Sequence, residues 1–236
     1  MIRKFGTDYS GFYYPSTLKP LNSNSIIYCV GAGEDISHDI AIAKTLHSNV
    51  YIFDPTPRAI EHVELVKKVL HDSKHIIHSS TFGGGDATYW DIILENKINP
   101  DNIIFLPYGL YIKNDMMEFY QPSNDLYVSC SIIPGMKSNV SKYKVPVKTL
   151  KTIMTELNHN RIDLLKIDIE GAECDVLHSM LEDNILPHFL SVDFDVGWHG
   201  ETLKNMDICL ETIDTLKKYG YKIIHSDMSN YSFCLH

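Results

Sequence analysis

The sequence predicts an α/β fold in which a mostly parallel sheet of seven strands carries helices on both faces and includes a C-terminal antiparallel strand. Short apolar runs alternate with segments whose apolar residues recur at helical spacing, which is typical of a parallel sheet covered on both faces. The last two predicted strands, at about 222–225 and 231–235, have no helix between them. We therefore expect the final strand to enter the sheet antiparallel to its neighbours.

The predicted core strands before that pair are Ser25–Val30, Val50–Phe53, Asn102–Leu106, Asp163–Ile169 and Phe189–Phe194. The predicted helices span about Ser37–Leu46, Pro57–Leu70, Ala87–Asn96, Thr149–Asn158, Ala172–Asp183 and Glu201–Tyr219. Thr56 before Pro57 is typical of a helix start, with the threonine as the N-cap. The long last helix is expected to turn one apolar face toward the core, made of Leu203, Met206, Leu210, Ile213 and Leu216.

The sequence also predicts the domain organisation. Residues 1–24 are predicted to be an N-terminal aromatic arm, either irregular and packed on the domain or serving as a lid; its aromatic residues are Tyr9, Phe12, Tyr13 and Tyr14. Residues 25–236 are predicted to form a single domain with an antiparallel insertion near 110–148.

Composition excludes several classes of protein. The 236 residues carry a net charge of −9 and no run of Lys or Arg, which argues against binding to nucleic acid. No apolar segment approaches the ~18 residues of a membrane span, and the N-terminus lacks the apolar core of a signal peptide. We therefore expect a cytoplasmic protein without a transmembrane segment, whose partner is a small-molecule or glycan acceptor.

The first candidate site is the turn Gly31–Gly33 between the first core strand and its helix. Glycine in such a turn permits unusual backbone angles and the close approach of a ligand. Asp54 lies 21 residues past Gly33 at the end of the second strand, where an acid is placed to accept ribose hydroxyls. Ile36 replaces the third glycine of the dinucleotide fingerprint, and Glu34 would repel a pyrophosphate. These residues favour S-adenosylmethionine, which has no phosphate, over NAD.

The second candidate site is a group of acids at the ends of two neighbouring strands. Asp168 and Glu170 share one face of their strand, and Asp193 and Asp195 share one face of the next. Clustered carboxylates raise the pKa of at least one member. We therefore expect one of three compensations: a divalent metal such as Mg²⁺ on Asp168, Asp193 and Asp195, the positive charge of Lys166 on the same face, or a carboxylate that acts as a general base. Glu170 is equally explained as an acid at a helix N-terminus. His199 is a further candidate base in a loop, or a surface histidine.

At this point the residues resemble a known family. Ile162–Glu173 looks like the signature of FkbM-type methyltransferases, and four shorter segments are similar to other parts of that family: Val30–Ser37, Phe53–Pro57, Leu106–Leu110 and Val145–Leu150. The resemblance implies the class I methyltransferase fold, Rossmann-like, with S-adenosylmethionine as the cofactor and a hydroxyl of a sugar or polyketide as the acceptor. It also implies that Gly31, Gly33, Asp54 and Gly109 lie at the cofactor.

Together these observations predict an S-adenosylmethionine-dependent O-methyltransferase that acts on a sugar hydroxyl in a glycan or glycolipid precursor. Asp168 and either Glu170 or His199 would handle the proton, and Glu34 would lie beside the cofactor. The alternative is a catalytically inactive methyltransferase-like binding module in glycan assembly. An NAD-dependent sugar enzyme is disfavoured, because the third glycine and a YxxxK pair are both absent from the sequence.

Overall fold

The computed structural model of the chain describes residues 1–75, 87–121, 130–132, 141–194 and 202–236. The strands in these ranges are β1 (Ile2–Phe5), β2 (Phe12–Pro15), β3 (Ile27–Val30), β4 (Val50–Phe53), β5 (Ile103–Leu106), β6 (Gly109–Leu110), β7 (Asp115–Gln121), β8 (Ser141–Lys148), β9 (Leu164–Ile167), β10 (Phe189–Asp193), β11 (Tyr221–Asp227) and β12 (Asn230–Leu235). The helices are α1 (Ser37–Leu46), α2 (Pro57–His71), α3 (Tyr89–Glu95), α4 (Leu150–Glu156), α5 (Glu173–Glu182) and α6 (Thr202–Lys218).

The central sheet has seven strands in the order β11-β12-β10-β9-β3-β4-β5. The pairs from β10 through β5 are parallel, whereas β12 is antiparallel to both of its neighbours. The predicted mostly parallel sheet with a terminal antiparallel strand is therefore confirmed. The direction of strand progression reverses between β3 and β9, and such a switch point is where open α/β sheets bind their ligands.

The two strands at the switch point are buried on both faces. Every residue of β3 and β9 is at most 1% exposed, as expected for central parallel strands covered by helices on both sides. Lys166 is the polar member of this set, and its side chain is buried with the rest. Helix α2 begins as predicted, because the Thr56 hydroxyl accepts a hydrogen bond from the Ala59 N–H and Pro57 occupies the first helical position.

The N-terminal arm is a β-hairpin rather than an irregular segment. Strands β1 and β2 pair antiparallel, with Phe5 opposite Phe12. Phe5, Phe12 and Tyr14 are buried in one core cluster with residues of α1, whereas Tyr13 between them is only half-buried. This alternation has the period of two that a strand requires. The signal was present in the sequence and was obscured by the neighbouring Gly, Pro and Ser residues.

The predicted insertion contains a small second sheet in the order β6-β8-β7. Strands β7 and β8 are antiparallel, and the short β6 runs parallel to β8. The positions 122–129 and 133–140 lie outside the described residues. Among the described residues, none of the helices combines the length and the apolar composition needed to cross a membrane.

The predicted inward face of α6 is partly wrong. Met206 and Leu210 are 42% and 49% exposed, whereas Cys209, Thr212, Ile213 and Leu216 are buried. These four buried positions follow the spacing i, i+3, i+4, i+7 of one helix face. Thr212 tolerates burial because its hydroxyl donates to the Ile208 carbonyl and lies 3.2 Å from Nε2 of His178. The side chain of Leu203 lies outside the described residues.

Gly31 joins the ends of β3 and β9. Its backbone has a φ of +86°, and a Cβ atom there would lie 1.8 Å from the carbonyl oxygen of Asp168. The Gly31 N–H donates to the Phe53 carbonyl on the other side, at 3.0 Å. Glycine is therefore required at this position by the packing of the chain against itself, in addition to any role toward a ligand.

We expect Gly31→Ala to lower the free energy of unfolding by about 3–5 kcal/mol or to prevent folding, because the new methyl group meets backbone atoms that cannot move aside. Gly109→Ala is the matched control: its nearest contact would be a side-chain atom of Val147 at 3.2 Å, which can give way. Its expected cost is below about 1 kcal/mol. Urea unfolding followed by circular dichroism measures both, and equal stability of the two variants would contradict this account.

Candidate active site

The turn that follows β3 is held in place by Asp54 at the end of β4. One carboxylate oxygen of Asp54 accepts hydrogen bonds from the N–H groups of Ala32 and Gly33, at 2.9 and 3.0 Å. The other accepts from the N–H and the hydroxyl of Thr56, at 2.8 and 2.6 Å. The two oxygens of a carboxylate offer about four acceptor positions, so the chain itself fills all of them.

Asp54 thus has a structural role that the sequence did not predict. Its predicted contact with ribose hydroxyls stays a prediction, and it requires a ligand to exchange with one of these four donors. Glu34, also predicted at the cofactor, is likewise engaged: the guanidinium of Arg58 donates to both of its carboxylate oxygens, at 2.9 and 2.8 Å. This pair neutralises one acid beside the turn.

A pocket of about 770 Å³, open solvent at its mouth included, lies over the switch point. At what we call its β4 end, the lining includes Phe53, Asp54, Gly109 and Phe119. At its β9 end, the lining includes Tyr9, Ser10, Asp168 and Glu170. The turn from Gly31 to Asp35 runs between the two ends. The structure therefore brings five predicted cofactor residues and two predicted catalytic residues, distant in sequence, into one pocket.

Lys166 lies beneath this pocket and is fully buried. Its ammonium donates to the Gly31 carbonyl at 2.5 Å and lies 3.6 Å from a carboxylate oxygen of Asp168. Burial alone would lower the pKa of Lys166, but the negative charges of Asp168 and Asp39 outweigh it and raise that pKa. Lys166 therefore stays charged, and it ties the glycine turn to the acid at the end of β9.

Glu170 has an unusual backbone conformation. Its φ of +58° lies in the left-handed region, and Gly171 follows with a φ of +108°. The Glu170 carbonyl accepts a hydrogen bond from the Ser131 hydroxyl at 2.6 Å. Such backbone geometry in a residue other than glycine is concentrated at functional sites.

Glu173 occupies the helix-terminal position that sequence reasoning offered as the alternative role for Glu170. It is the first residue of α5 and is buried, and its carboxylate accepts hydrogen bonds from the N–H groups of Ile169 and Gly171. Burial raises the pKa of Glu173 well above its usual range, against these hydrogen bonds. The spacing Gly171-Ala172-Glu173 is the sequence signal that would have predicted these hydrogen bonds between the Glu173 carboxylate and the preceding backbone.

The pKa of Asp193, at the end of β10, depends on the acids at the end of β9. Burial and the negative charges of Asp168 and Glu170 raise the pKa of Asp193 to about 6. A carboxyl group with that pKa can exchange a proton near neutral pH. His199 and Asp195, the other predicted members of this group, lie outside the described residues.

The predicted metal site stays a prediction. Within the described part of the chain, the acids at the β9 end do not bring three ligand atoms within 4.8 Å of one another. The group that does so there is a buried one beneath the glycine turn, made of Cys29, His38 and Asp39. Burial lowers the pKa of His38 to about 3, and the positive charge of Lys166 acts in the same direction.

Two residues of the hairpin tip were not predicted individually. Tyr9 and Ser10, in the turn that connects β1 to β2, line the pocket. The sequence predicted only that the aromatic arm as a whole packs on the domain or covers it. Tyr9 keeps 57% of its surface exposed. Desolvation around its hydroxyl, with the negative charges of Asp168 and Glu170, raises the pKa of Tyr9 to about 12. Tyr9 is therefore a neutral hydroxyl donor.

Comparison with known proteins decides the family. Residues 49–223 match the family model described as the methyltransferase FkbM domain. The chain belongs to the FkbM methyltransferase family. No protein with a curated description matches the sequence significantly.

One solved structure shows the fold of this FkbM family member. An FkbM methyltransferase from Methylobacillus flagellatus KT superposes with a TM-score of 0.51 at 12% identity, covering 98% of this chain and 48% of that one. The chain thus spans about half the length of that relative. A putative rRNA methylase from Clostridium thermocellum matches over 91% of this chain and 87% of that one, at 10% identity and a TM-score of 0.43.

Membership of the FkbM family implies S-adenosylmethionine as the methyl donor, and the pocket residues fit its charges. Asp168 and Glu170 suit the positively charged sulfonium and ammonium groups, with Lys166 already committed to the chain beneath them. At the β4 end the fit is incomplete, because Asp54 makes all four of its hydrogen bonds within the chain.

We expect the carboxyl carbon of Asp193 to titrate in NMR with a midpoint near 6, and Asp168→Asn to lower that midpoint by removing a neighbouring negative charge. Because the folded state holds this proton more tightly than the unfolded chain, the stability it contributes at low pH is lost as pH rises through about 6. Asp214, exposed and beside Lys217, serves as the control and should titrate below its usual range in both proteins. An unchanged Asp193 midpoint in the variant would contradict the coupling.

Proposed function

We propose that this FkbM family member is an S-adenosylmethionine-dependent O-methyltransferase whose acceptor is a sugar hydroxyl in a glycan or glycolipid precursor. One observation carries the proposal: a single pocket over the switch point joins Asp54 and Gly109 at one end to Asp168 and Glu170 at the other. The sugar acceptor is supported by the resemblance to the family. The expected cytoplasmic location belongs to the same proposal.

The proposed cofactor contacts are Gly31, Gly33, Glu34, Asp54 and Gly109. S-adenosylmethionine supplies, when bound, an electrophilic methyl group on a positively charged sulfur. The turn at Gly31–Gly33 presents backbone to the pocket without side chains in the way. The nucleoside is proposed to lie at the β4 end, beside Phe53 and Gly109, which directs the sulfur toward the β9 end.

An acceptor hydroxyl must lose its proton as the methyl group arrives, and the acids of the β9 end are placed for that task. Asp168 lines the pocket, and one of its carboxylate oxygens lies 3.6 Å from the ammonium of Lys166. Glu170, held in a strained turn, is the neighbouring candidate, and His199 stays a third. Asp193, with its pKa raised to about 6, can take the proton onward.

A second candidate function is a binding module that no longer catalyses. The internal saturation of Asp54 favours it, because an acid whose four acceptor positions are filled by the chain has none left for ribose. The two functions differ in whether cofactor is bound and whether it is turned over.

Isothermal titration with S-adenosylmethionine and S-adenosylhomocysteine tests the cofactor. We expect saturable binding of both by the folded protein. The acids of the β9 end attract the ammonium that both ligands carry and the sulfonium of S-adenosylmethionine. Folding is checked on the same sample by circular dichroism. A folded protein that binds neither ligand at millimolar concentration would contradict the proposal and favour the binding module.

For catalysis, we expect Asp168→Asn to slow formation of S-adenosylhomocysteine from S-adenosylmethionine by about 10²–10⁴-fold with a panel of sugar acceptors, because the hydroxyl proton loses its acceptor. Asp175→Asn is the matched control, an exposed acid on α5, and should keep full turnover. Unchanged turnover in the Asp168 variant would contradict its role. Loss of wild-type turnover after EDTA would instead favour the alternative in which Asp168, Asp193 and Asp195 hold Mg²⁺.

A further inference from the structure

We propose that the tip of the N-terminal hairpin, residues 7–11, recognises the amino-acid group of S-adenosylmethionine through the hydroxyls of Tyr9 and Ser10. The inference rests on the proposed function and deepens it, because it assigns part of the cofactor site to a segment that precedes the residues 49–223 matched by the family model.

The hairpin tip is fixed against the glycine turn. The Thr7 hydroxyl donates to the carboxylate of Asp35 at 2.6 Å, and the Thr7 N–H donates to the hydroxyl of Ser37 at 2.9 Å. Gly6 packs so closely that a Cβ there would lie 2.9 Å from the backbone nitrogen of His38. Thr7 is itself buried. A segment held in this way can position side chains for a ligand with little loss of entropy on binding.

Ser10 carries an orphaned polar atom on the pocket. Its side-chain oxygen is buried, and it has no hydrogen-bond partner among the described residues. A buried hydroxyl without a partner costs about 1–3 kcal/mol, and such atoms are rare in folded proteins. A ligand group that enters the pocket and bonds to this hydroxyl removes that cost.

The other polar donors of the pocket are committed to the chain. The ammonium of Lys166 donates to the Gly31 carbonyl, and the hydroxyl of Thr56 donates to Asp54. Among the described residues, the hydroxyls of Tyr9 and Ser10 are the side-chain oxygen donors on this pocket that make no such bond. The charges of Asp168 and Glu170 act on the hydroxyl of Tyr9, which associates the hairpin tip with the β9 end, where the sulfur and the amino-acid group are proposed to be.

The chemistry of an amino-acid group matches this arrangement. Its ammonium is attracted by the carboxylates of Asp168 and Glu170, whereas its own carboxylate is repelled by them and needs donors. Neutral hydroxyls satisfy that need without adding charge to the site. Tyr9 remains a donor at neutral pH because its pKa is raised to about 12. The two hydroxyls therefore complement the anionic half of the zwitterion.

The test compares two ligands in isothermal titration: S-adenosylhomocysteine, and 5′-methylthioadenosine, which keeps the nucleoside and the sulfur but lacks the amino-acid group. We expect Ser10→Ala and Tyr9→Phe each to weaken S-adenosylhomocysteine binding by about tenfold, the effect of one hydrogen bond to a charged group. The same variants should change 5′-methylthioadenosine binding by less than about twofold.

Two control variants remove the same groups elsewhere on the hairpin. Tyr13→Phe deletes a hydroxyl from a ring that packs on His225, and Ser16→Ala deletes one that donates to the Met1 carbonyl. Neither residue lines the pocket, so both should bind the two ligands as the wild type does. Ser10→Ala should also leave the thermal unfolding midpoint unchanged or raised, because its hydroxyl bonds to no described residue.

Three results would overturn the inference, and they are distinguishable. Unchanged affinities of both tip variants would show that the two hydroxyls do not bind the amino-acid group. An equal loss for both ligands would show an indirect effect on the pocket rather than a contact with the amino-acid group. A folded wild-type protein that binds neither ligand would contradict the proposed function, and the inference would fail with it.

Discussion

The whole site depends on the close approach of two strand ends at the switch point. Gly31, at the end of β3, lies so near the Asp168 carbonyl that no side chain fits between them. The Asp168 N–H completes the contact by donating to the Val30 carbonyl at 3.1 Å. This single junction sets the distance between the glycine turn and the acid of β9. The two ends of the pocket are therefore built on one rigid base.

Lys166 places a buried positive charge at that junction. A buried ammonium is costly unless its charge is compensated, and here the compensation comes from Asp168 and Asp39 together with a hydrogen bond to the Gly31 carbonyl. The same positive charge offsets part of the repulsion among the acids at the β9 end. The pocket thus combines a buried cation below with carboxylates on its wall, an arrangement suited to a ligand that is itself positively charged.

Much of this architecture could be predicted from residue patterns. Alternating apolar runs and helical periodicity predicted the parallel sheet, and Gly31, Asp54 and Asp168 were placed at strand ends that the fold then brought together. The hydrogen-bond partners of individual carboxylates could not be predicted, because they depend on which donor groups the fold brings close from other parts of the chain. Asp54 is the clearest case, since its four donors come from two different turns. On α6, hydrophobicity alone predicted that Leu210 is buried, whereas the packed structure buries Cys209 and Thr212 instead.

In the proposed complex, one ligand spans the pocket from the β4 end to the hairpin tip, across the glycine turn. A crystal structure of the protein with S-adenosylhomocysteine measures this most directly. We expect the adenosine beside Phe53 and Gly109, the sulfur facing Asp168, and the amino-acid group within hydrogen-bond distance of Ser10. A complex with the ligand in the opposite orientation, or bound away from the switch point, would contradict it.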